Sequence, residues 1–246
     1  TCDATVTVQD LIDPVVVCSP ITVQLNSAGT YALTAGNIAA MSAGSTDNCS
    51  IATRTVLPNT FNCSDIGTAV NVILTVADGS GRTASCPTTV TVEDNVPPTA
   101  ICKNITVQLN ALGSASITAA DINNGSNDAC GILSLVASKT TFTCADKGAN
   151  TVVLTVTDNH GNVSTCNSTV TVQDNVVPTI TCGVSGNQAV TTNTACTYVH
   201  SGTDWNATAT DNCTASPTVT YSLSGATTGT GSSLAGVAFS TGVTTV

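Results

Sequence analysis

Ile21-Thr22-Val23-Gln24-Leu25-Asn26 recurs letter for letter at Ile105–Asn110, 84 residues further on. Within it Ile21, Val23 and Leu25 alternate with polar residues, the period of two that places alternate side chains on one face of a strand. Working outward, the same spacing governs the rest of the chain. Cys18, Cys102 and Cys182 are spaced by 84 and 80, and Cys49 and Cys130 lie 81 apart, as do Cys63 and Cys144. Asp10, Asp94 and Asp174 each precede a proline by four positions. Self-similarity at a fixed period is the mark of a repeat architecture. The boundaries read as a closing strand at 1–10, full repeats at 11–94 and 95–174, and a third at 175–246 that stops early. Phe239 aligns with Phe142, and Thr5–Asp10 recurs letter for letter at Thr169–Asp174.

Further strands follow from Val72/Leu74/Val76, Val152/Leu154/Val156, Val90-Thr91-Val92 and Val170-Thr171-Val172. Asp78–Gly81 and Asp158–Gly161 read as hairpin turns, with glycine supplying positive φ. No segment has helical periodicity of useful length. About seven short strands in 80 residues predict a small antiparallel β-sandwich, repeated end to end, so the fold class is all-β.

Composition agrees and excludes other classes. Five Lys and Arg against fifteen Asp and Glu give a net charge of −10, which excludes a basic nucleic-acid binder. The 46 threonines favour strands. No apolar run reaches the length of a membrane span, so no membrane insertion is expected of this segment. Neither G-x-S-x-G, H-E-x-x-H nor a phosphate-binding glycine loop is present, and the chain reads as no enzyme.

Aromatic residues make up only 3% of the chain, so a sandwich of Val, Thr and Ala needs covalent support. The twelve cysteines supply it; without CxxC spacing and with two histidines, disulfides are expected rather than zinc. Cys102 and Cys166 each lie three residues before their strand, so parallel pairing of first and last strands, as in Ig-like sandwiches, predicts Cys102–Cys166 and Cys18–Cys86. That leaves Cys49–Cys63 and Cys130–Cys144. In the third repeat Thr241 replaces a cysteine while Cys196 appears, which predicts Cys196–Cys213. Cys2 and Cys182 are left unpaired, their partners expected beyond the two ends.

The pattern D-N-x-x-P-T-x-x-C at Asp94–Cys102, D-N-C at Asp211–Cys213 and T-D-x-x-G-N at Thr157–Asn162 resembles the hyalin repeat, an Ig-like extracellular module. The four-cysteine form resembles the long repeat arrays of flavobacterial surface proteins, among them the giant gliding-motility adhesin. The resemblance covers the whole chain. It implies export, outer-membrane attachment through regions outside this segment, and a structural part in adhesion and gliding. Partners would be neighbouring repeats, with surface polysaccharide or substratum met through other regions.

Fourteen of the fifteen acidic residues are Asp, at recurring places: the linkers, the last hairpins and the mid-repeat loops at Asp47, Asp128 and Asp211. Asp shapes turns by itself. Calcium, which takes oxygen ligands from carboxylates and amides, is the expected cofactor if one is bound. Its expected ligands are Asp94, Asn95 and Asp158 at one junction, Asp10 and Asp78 one earlier, and Asp174 one later. The alternative to a stalk is a carbohydrate- or ligand-binding module, for which Trp205 and Tyr198 are the aromatic platform.

Overall fold

The computed structural model describes residues 2–246. In chain order the elements of the first repeat are β1 (Ile21–Gln24), β2 (Thr30–Ala32), α1 (Ala35–Met41), β3 (Ile51–Leu57), β4 (Thr60–Asn62), β5 (Val70–Asp78) and β6 (Thr83–Glu93). The second has β7 (Ile105–Gln108), β8 (Ser114–Ser116), α2 (Ala119–Ile122), β9 (Ile132–Ala137), β10 (Thr141–Thr143), β11 (Gly148–Asp158) and β12 (Val163–Gln173). The third has β13 (Thr179–Thr181), β14 (Thr197–Val199), β15 (Thr208–Thr210), β16 (Tyr221–Gly225), β17 (Gly229–Gly231), β18 (Ala238–Ser240) and β19 (Thr244–Thr245). The chain is all-β apart from short helical turns.

The chain forms two compact units that cut across the second repeat. One comprises residues up to Lys103 with Ile122–Ser138 and Val153–Ser168; the other comprises Asn104–Asp121, Lys139–Val152 and Thr169–Val246.

In the first unit a four-stranded sheet runs β1-β6-β5-β3, and β2 pairs with β4 as a separate ribbon. β1 and β6 are parallel, with Ile21 opposite Val90. β5 and β6 form the long hairpin. Alternate residues of β5 turn inward, so Val72, Leu74 and Val76 are buried. Val72 and Leu74 pack with Val23, Leu25, Val56, Val90, Val92, Met41 and Phe61 in one core. Burying a side chain of this size stabilises by about 1.5–3 kcal/mol, so these few residues dominate the apolar contribution.

The sequence pattern misses α1. Thr34 caps it, accepting from Asn37 N–H, while Asn37 Oδ1 accepts in return from Thr34 N–H. The helix is seven residues long, too short for apolar periodicity to show, and exists to bury Met41. Likewise Thr5–Asp10, expected as a strand, forms none. Its copies in β6 and β12 are held by a parallel partner, β1 or β7.

In the second unit the parallel pairing recurs, with Val170 opposite Ile105. The ribbon also recurs: β10 pairs with β8 and β14 with β18. Phe142 and Val152 are fully buried there. The structure thus repeats one ribbon three times, with Phe61 opposite Tyr31, Phe142 opposite Ala115 and Phe239 opposite Tyr198.

Candidate functional site: the repeat junctions

Four disulfides are present. Cys18 is joined to Cys86 and Cys102 to Cys166, as the parallel register of first and last strands requires. The other two differ from expectation: Cys63 is joined to Cys130, and Cys144 to Cys213. The pairs Cys49–Cys63, Cys130–Cys144 and Cys196–Cys213 do not form. Cys2, Cys49, Cys182 and Cys196 are exposed free thiols.

The physical reason lies in the sandwich. Cys49 precedes Ile51, which pairs with Asp78 at the hairpin end of the sheet. Cys63 precedes Ile66, which bridges Val92 at the other end. β6 spans the interval with eleven residues, roughly 35 Å of strand. Fourteen residues of separation in sequence are therefore opposite ends of the domain in space. The linker end of one repeat instead meets the hairpin end of the next, where Asn162 Nδ2 donates to Asp94 O.

Each inter-repeat cystine has a donor side and an acceptor side. On the donor side the cysteine follows the short ribbon strand, as Cys63 follows Asn62 and Cys144 follows Thr143. Its sulfur lies over a tight turn. In that turn Asn26 Oδ1 accepts from Ala28 and Thr30, and Asn110 Oδ1 accepts from Leu112 and Ser114. Gly29 and Gly113 occupy the left-handed position there, at φ 70° and 72°. A Cβ added at Gly29 would stand 2.8 Å from Cys63 Sγ, and one at Gly113 would stand 2.6 Å from Cys144 Sγ. Only glycine leaves room for the donor sulfur. On the acceptor side the cysteine ends a D-x-C triplet, whose aspartate caps it: Asp128 Oδ1 accepts from Cys130 N–H and Asp211 Oδ2 from Cys213 N–H.

The aspartates converge at the same places. Carboxylate oxygens of Asp94, Asp128 and Asp158 lie within 4.8 Å of one another, and so do those of Asp10, Asp47 and Asp78. Two oxygens each about 2.4 Å from one ion can be at most about that far apart. Asp158 is fully buried and Asp94 and Asp78 nearly so. Burial would raise the pKa of Asp158, but hydrogen bonds from Asn162, His160 and Gly161 outweigh it and hold the carboxyl below its ordinary value. Asp78 is likewise lowered against burial, by bonds from Arg82 and Ser80. Asp10 is lowered chiefly by the N–H of Ile12 and then by the Cys49 thiol, and Asp10 in turn raises the pKa of Cys49.

The two clusters differ in what stands beside the carboxylates. His160 Nδ1 lies 3.2 Å from Asp94 Oδ2. In the first cluster Ser80 stands at that position and donates to Asp78, while Asp10 Oδ2 and Asp47 Oδ1 are buried without a hydrogen-bond partner. Two orphaned buried oxygens facing a third carboxylate suit a hard cation. Cys130 also stands near Asp94 and His160, but its sulfur is committed to the disulfide and cannot act as a thiolate ligand.

Of the expected ligands, Asp94 and Asp158 come together, as do Asp10 and Asp78. Asn95 Nδ2 donates to Gln24 Oε1. Asp174 accepts from Asn212 Nδ2 and lies 3.9 Å from Lys147 Nζ, and no cluster of three acidic groups forms around it among the described residues. Asp47 and Asp128 were missing from the expected set, although the recurring D-x-C triplet marked them. His200 stacks on Trp205 at 4.2 Å and Phe239 meets it edge-on at 5.9 Å. No helix among the described residues is long and apolar enough to cross a membrane.

No family model matches the chain, and no curated protein matches it. Among solved structures it is similar to the cadherin domains 1–4 of protocadherin gamma B7, at 12% identity and a TM-score of 0.34, over 87% of this chain and 63% of that one. It is also similar to domains 1–5 of protocadherin gamma B2, at 13% identity and 0.34, over 87% and 49%. A third match is an endo-fucoidan hydrolase of glycoside hydrolase family 107, at 12% identity and 0.23, over 67% and 29%. The chain spans less than two thirds of the length of each, and overlap at this level carries nothing about function.

Proposed function

We propose that this chain is a load-bearing stalk segment of a long cell-surface adhesin, with 11–94, 95–174 and 175–246 as successive modules cross-linked to one another. One observation carries the reading: the four disulfides overlap along the chain, each opening before the previous one has closed. Cys63 lies inside the loop of Cys18–Cys86, Cys102 inside that of Cys63–Cys130, and Cys144 inside that of Cys102–Cys166. A covalent path from Cys18 to Cys213 through the bonds needs only about 40 residues of backbone, on the order of 140 Å fully extended, against several hundred without them. Loops of this length stabilise the folded state by about 4 kcal/mol each on the chain-entropy account, more than the 14-residue loops expected within a repeat would.

Such a ladder transmits tension through unfolding with little lengthening, which suits a tether rather than an enzyme. The adhesive setting, export, attachment through other regions and the link to gliding follow from the repeat resemblance. Calcium at Asp10/Asp47/Asp78 and Asp94/Asp128/Asp158 would neutralise the converging carboxylates and stiffen the junctions. Pulling single molecules by their ends tests the stalk. Under oxidising conditions the extension gained on unfolding should be a small fraction of that gained after reduction. Equal extensions in both would remove the ladder and the tether with it.

A further inference from the structure

The loop before β9 ties the second repeat to its linker, and the first repeat holds its own linker by the same bonds. Thr99 and Asn127 form a bridge, as Val15 and Thr46 do. Ser126 Oγ accepts from Ile101 N–H and donates to Ile101 O, and Ser45 Oγ does the same with Val17. Each loop turns at a glycine in the left-handed region, Gly44 at φ 89° and Gly125 at φ 83°. The residue before that glycine differs: it is Ala43 in the first repeat and Asn124 in the second. Since alanine serves the same turn, the turn does not require the Asn124 side chain.

That side chain is also unrestrained. Asn124 is exposed, and among the described residues no hydrogen bond holds its carboxamide or the N–H of Gly125. Its own N–H donates to Ile101 O at 2.8 Å. Apart from its chain neighbours, nothing lies within 4 Å of a Cβ built at Gly125. The other asparagines of this stretch are bound. Asn104 Oδ1 accepts from Thr169 N–H, Asn110 Oδ1 from Leu112 and Ser114, and Asn123 Oδ1 from Ser126, while Asn127 Nδ2 donates to Gly125 O. Asn-Gly occurs once in the chain, at this place.

An asparagine followed by glycine can react with its own backbone. The Gly125 nitrogen, having lost its proton to hydroxide, attacks Asn124 Cγ. The carboxamide nitrogen takes up a proton and leaves as ammonia, and a five-membered succinimide closes. Water then opens the ring. Cleavage of the bond from nitrogen to Cγ gives aspartate, and cleavage of the bond to the main-chain carbonyl carbon gives isoaspartate. The sum is asparagine plus water to acid plus ammonia, with no oxidant or reductant. A Cβ on the following residue crowds that ring, and glycine has none.

We propose that Asn124 is a site of self-modification, converting with age to isoaspartate and aspartate, and that isoaspartate loosens the hold of the loop on the linker. Isoaspartate carries the chain through Cγ and so adds one atom to the main chain. That atom falls between Asn124 N–H, bonded to Ile101 O, and the Ser126 and Asn127 contacts on Ile101 and Thr99. The two sets of bonds can then no longer keep one register. Each conversion also adds a negative charge to a chain that carries −10.

The experiment uses the whole chain with its free thiols alkylated, so that disulfides do not exchange during storage at mildly alkaline pH. Samples are taken over weeks, reduced and digested after lysine. Cleavage after Lys103 and Lys139 yields one peptide that holds Asn124 with Asn104, Asn110, Asn123 and Asn127 as internal references. Tandem mass spectrometry should place conversion at Asn124, above each reference by an order of magnitude, with isoaspartate the larger share. Asn124→Ala, the residue of the first repeat, should fold alike and leave the peptide unconverted. Amide exchange at Asn127 should be faster in the aged chain than in the fresh one, and unchanged in aged Asn124→Ala. An Asn124 that stays intact, or conversion spread evenly over the five asparagines, overturns the site. Isoaspartate without faster exchange at Asn127 overturns its effect on the linker.

Discussion

The clusters Asp10/Asp47/Asp78 and Asp94/Asp128/Asp158 are built from the same three places: linker, D-x-C loop and last hairpin. Beside the second, the acceptor cysteine is bonded, through Cys63–Cys130; beside the first, Cys49 is free. Both sets of carboxylates converge all the same. The cystine is therefore not what gathers the acids. Each acid is fixed by its own turn: Asp78 and Asp158 accept from the N–H groups two and four residues on. Covalent linkage and charge clustering are two separate devices at one junction, and removing one should leave the other.

The largest expected effect breaks them apart. Cys63→Ser with Cys130→Ser should cost about 2–4 kcal/mol in denaturant unfolding, yet leave calcium binding at both clusters. Loss of binding at the second cluster would mean that the cystine does gather the acids. Next, Asp158→Ala leaves several buried donors unpaired and should cost about 1–3 kcal/mol by the same measurement. Asp78→Ala should act in the same direction at the other cluster.

Calcium itself should raise stability by about 1.4 kcal/mol at a tenfold excess over its Kd, read as a shift in Tm. No shift at millimolar calcium would reduce both clusters to turn chemistry. His160→Ser makes the second cluster resemble the first and should strengthen its calcium binding modestly, measured by calorimetry.

The smallest effect is on pH. Asp10, Asp78 and Asp158 have native pKa values lowered below the ordinary 3.9 or so, which means the folded state favours their charged forms. Their stabilisation is fully present above about pH 4 and is lost as pH falls through the lowered native values. Tm should therefore be level from pH 7 to 5 and decline below 4. Replacing Asp158 with Asn should flatten that decline.

The strands were legible because Ile21/Val23/Leu25 and Val72/Leu74/Val76 alternate over a buried face. The parallel pairing that places Cys18 beside Cys86 was legible from equal offsets to the strands. The helix α1 was not, since seven residues rich in Ala and Gly carry a cap and no stripe. The inter-repeat cystines escaped because four cysteines per repeat invite pairing within the repeat. The separations of 67 and 69 residues in Cys63–Cys130 and Cys144–Cys213 held the signal. Asp47 and Asp128 were visible as recurring residues, but their convergence with the hairpin depends on which end of the sandwich each loop occupies, a matter of topology rather than spacing.

The central claim is that cystines join one repeat to the next. Proteolysis of the unreduced chain at acid pH, where disulfides do not exchange, followed by mass spectrometry of the linked peptides, tests it directly. The account predicts Cys63 joined to Cys130 and Cys144 joined to Cys213. Cys49 joined to Cys63 and Cys130 joined to Cys144 would contradict it.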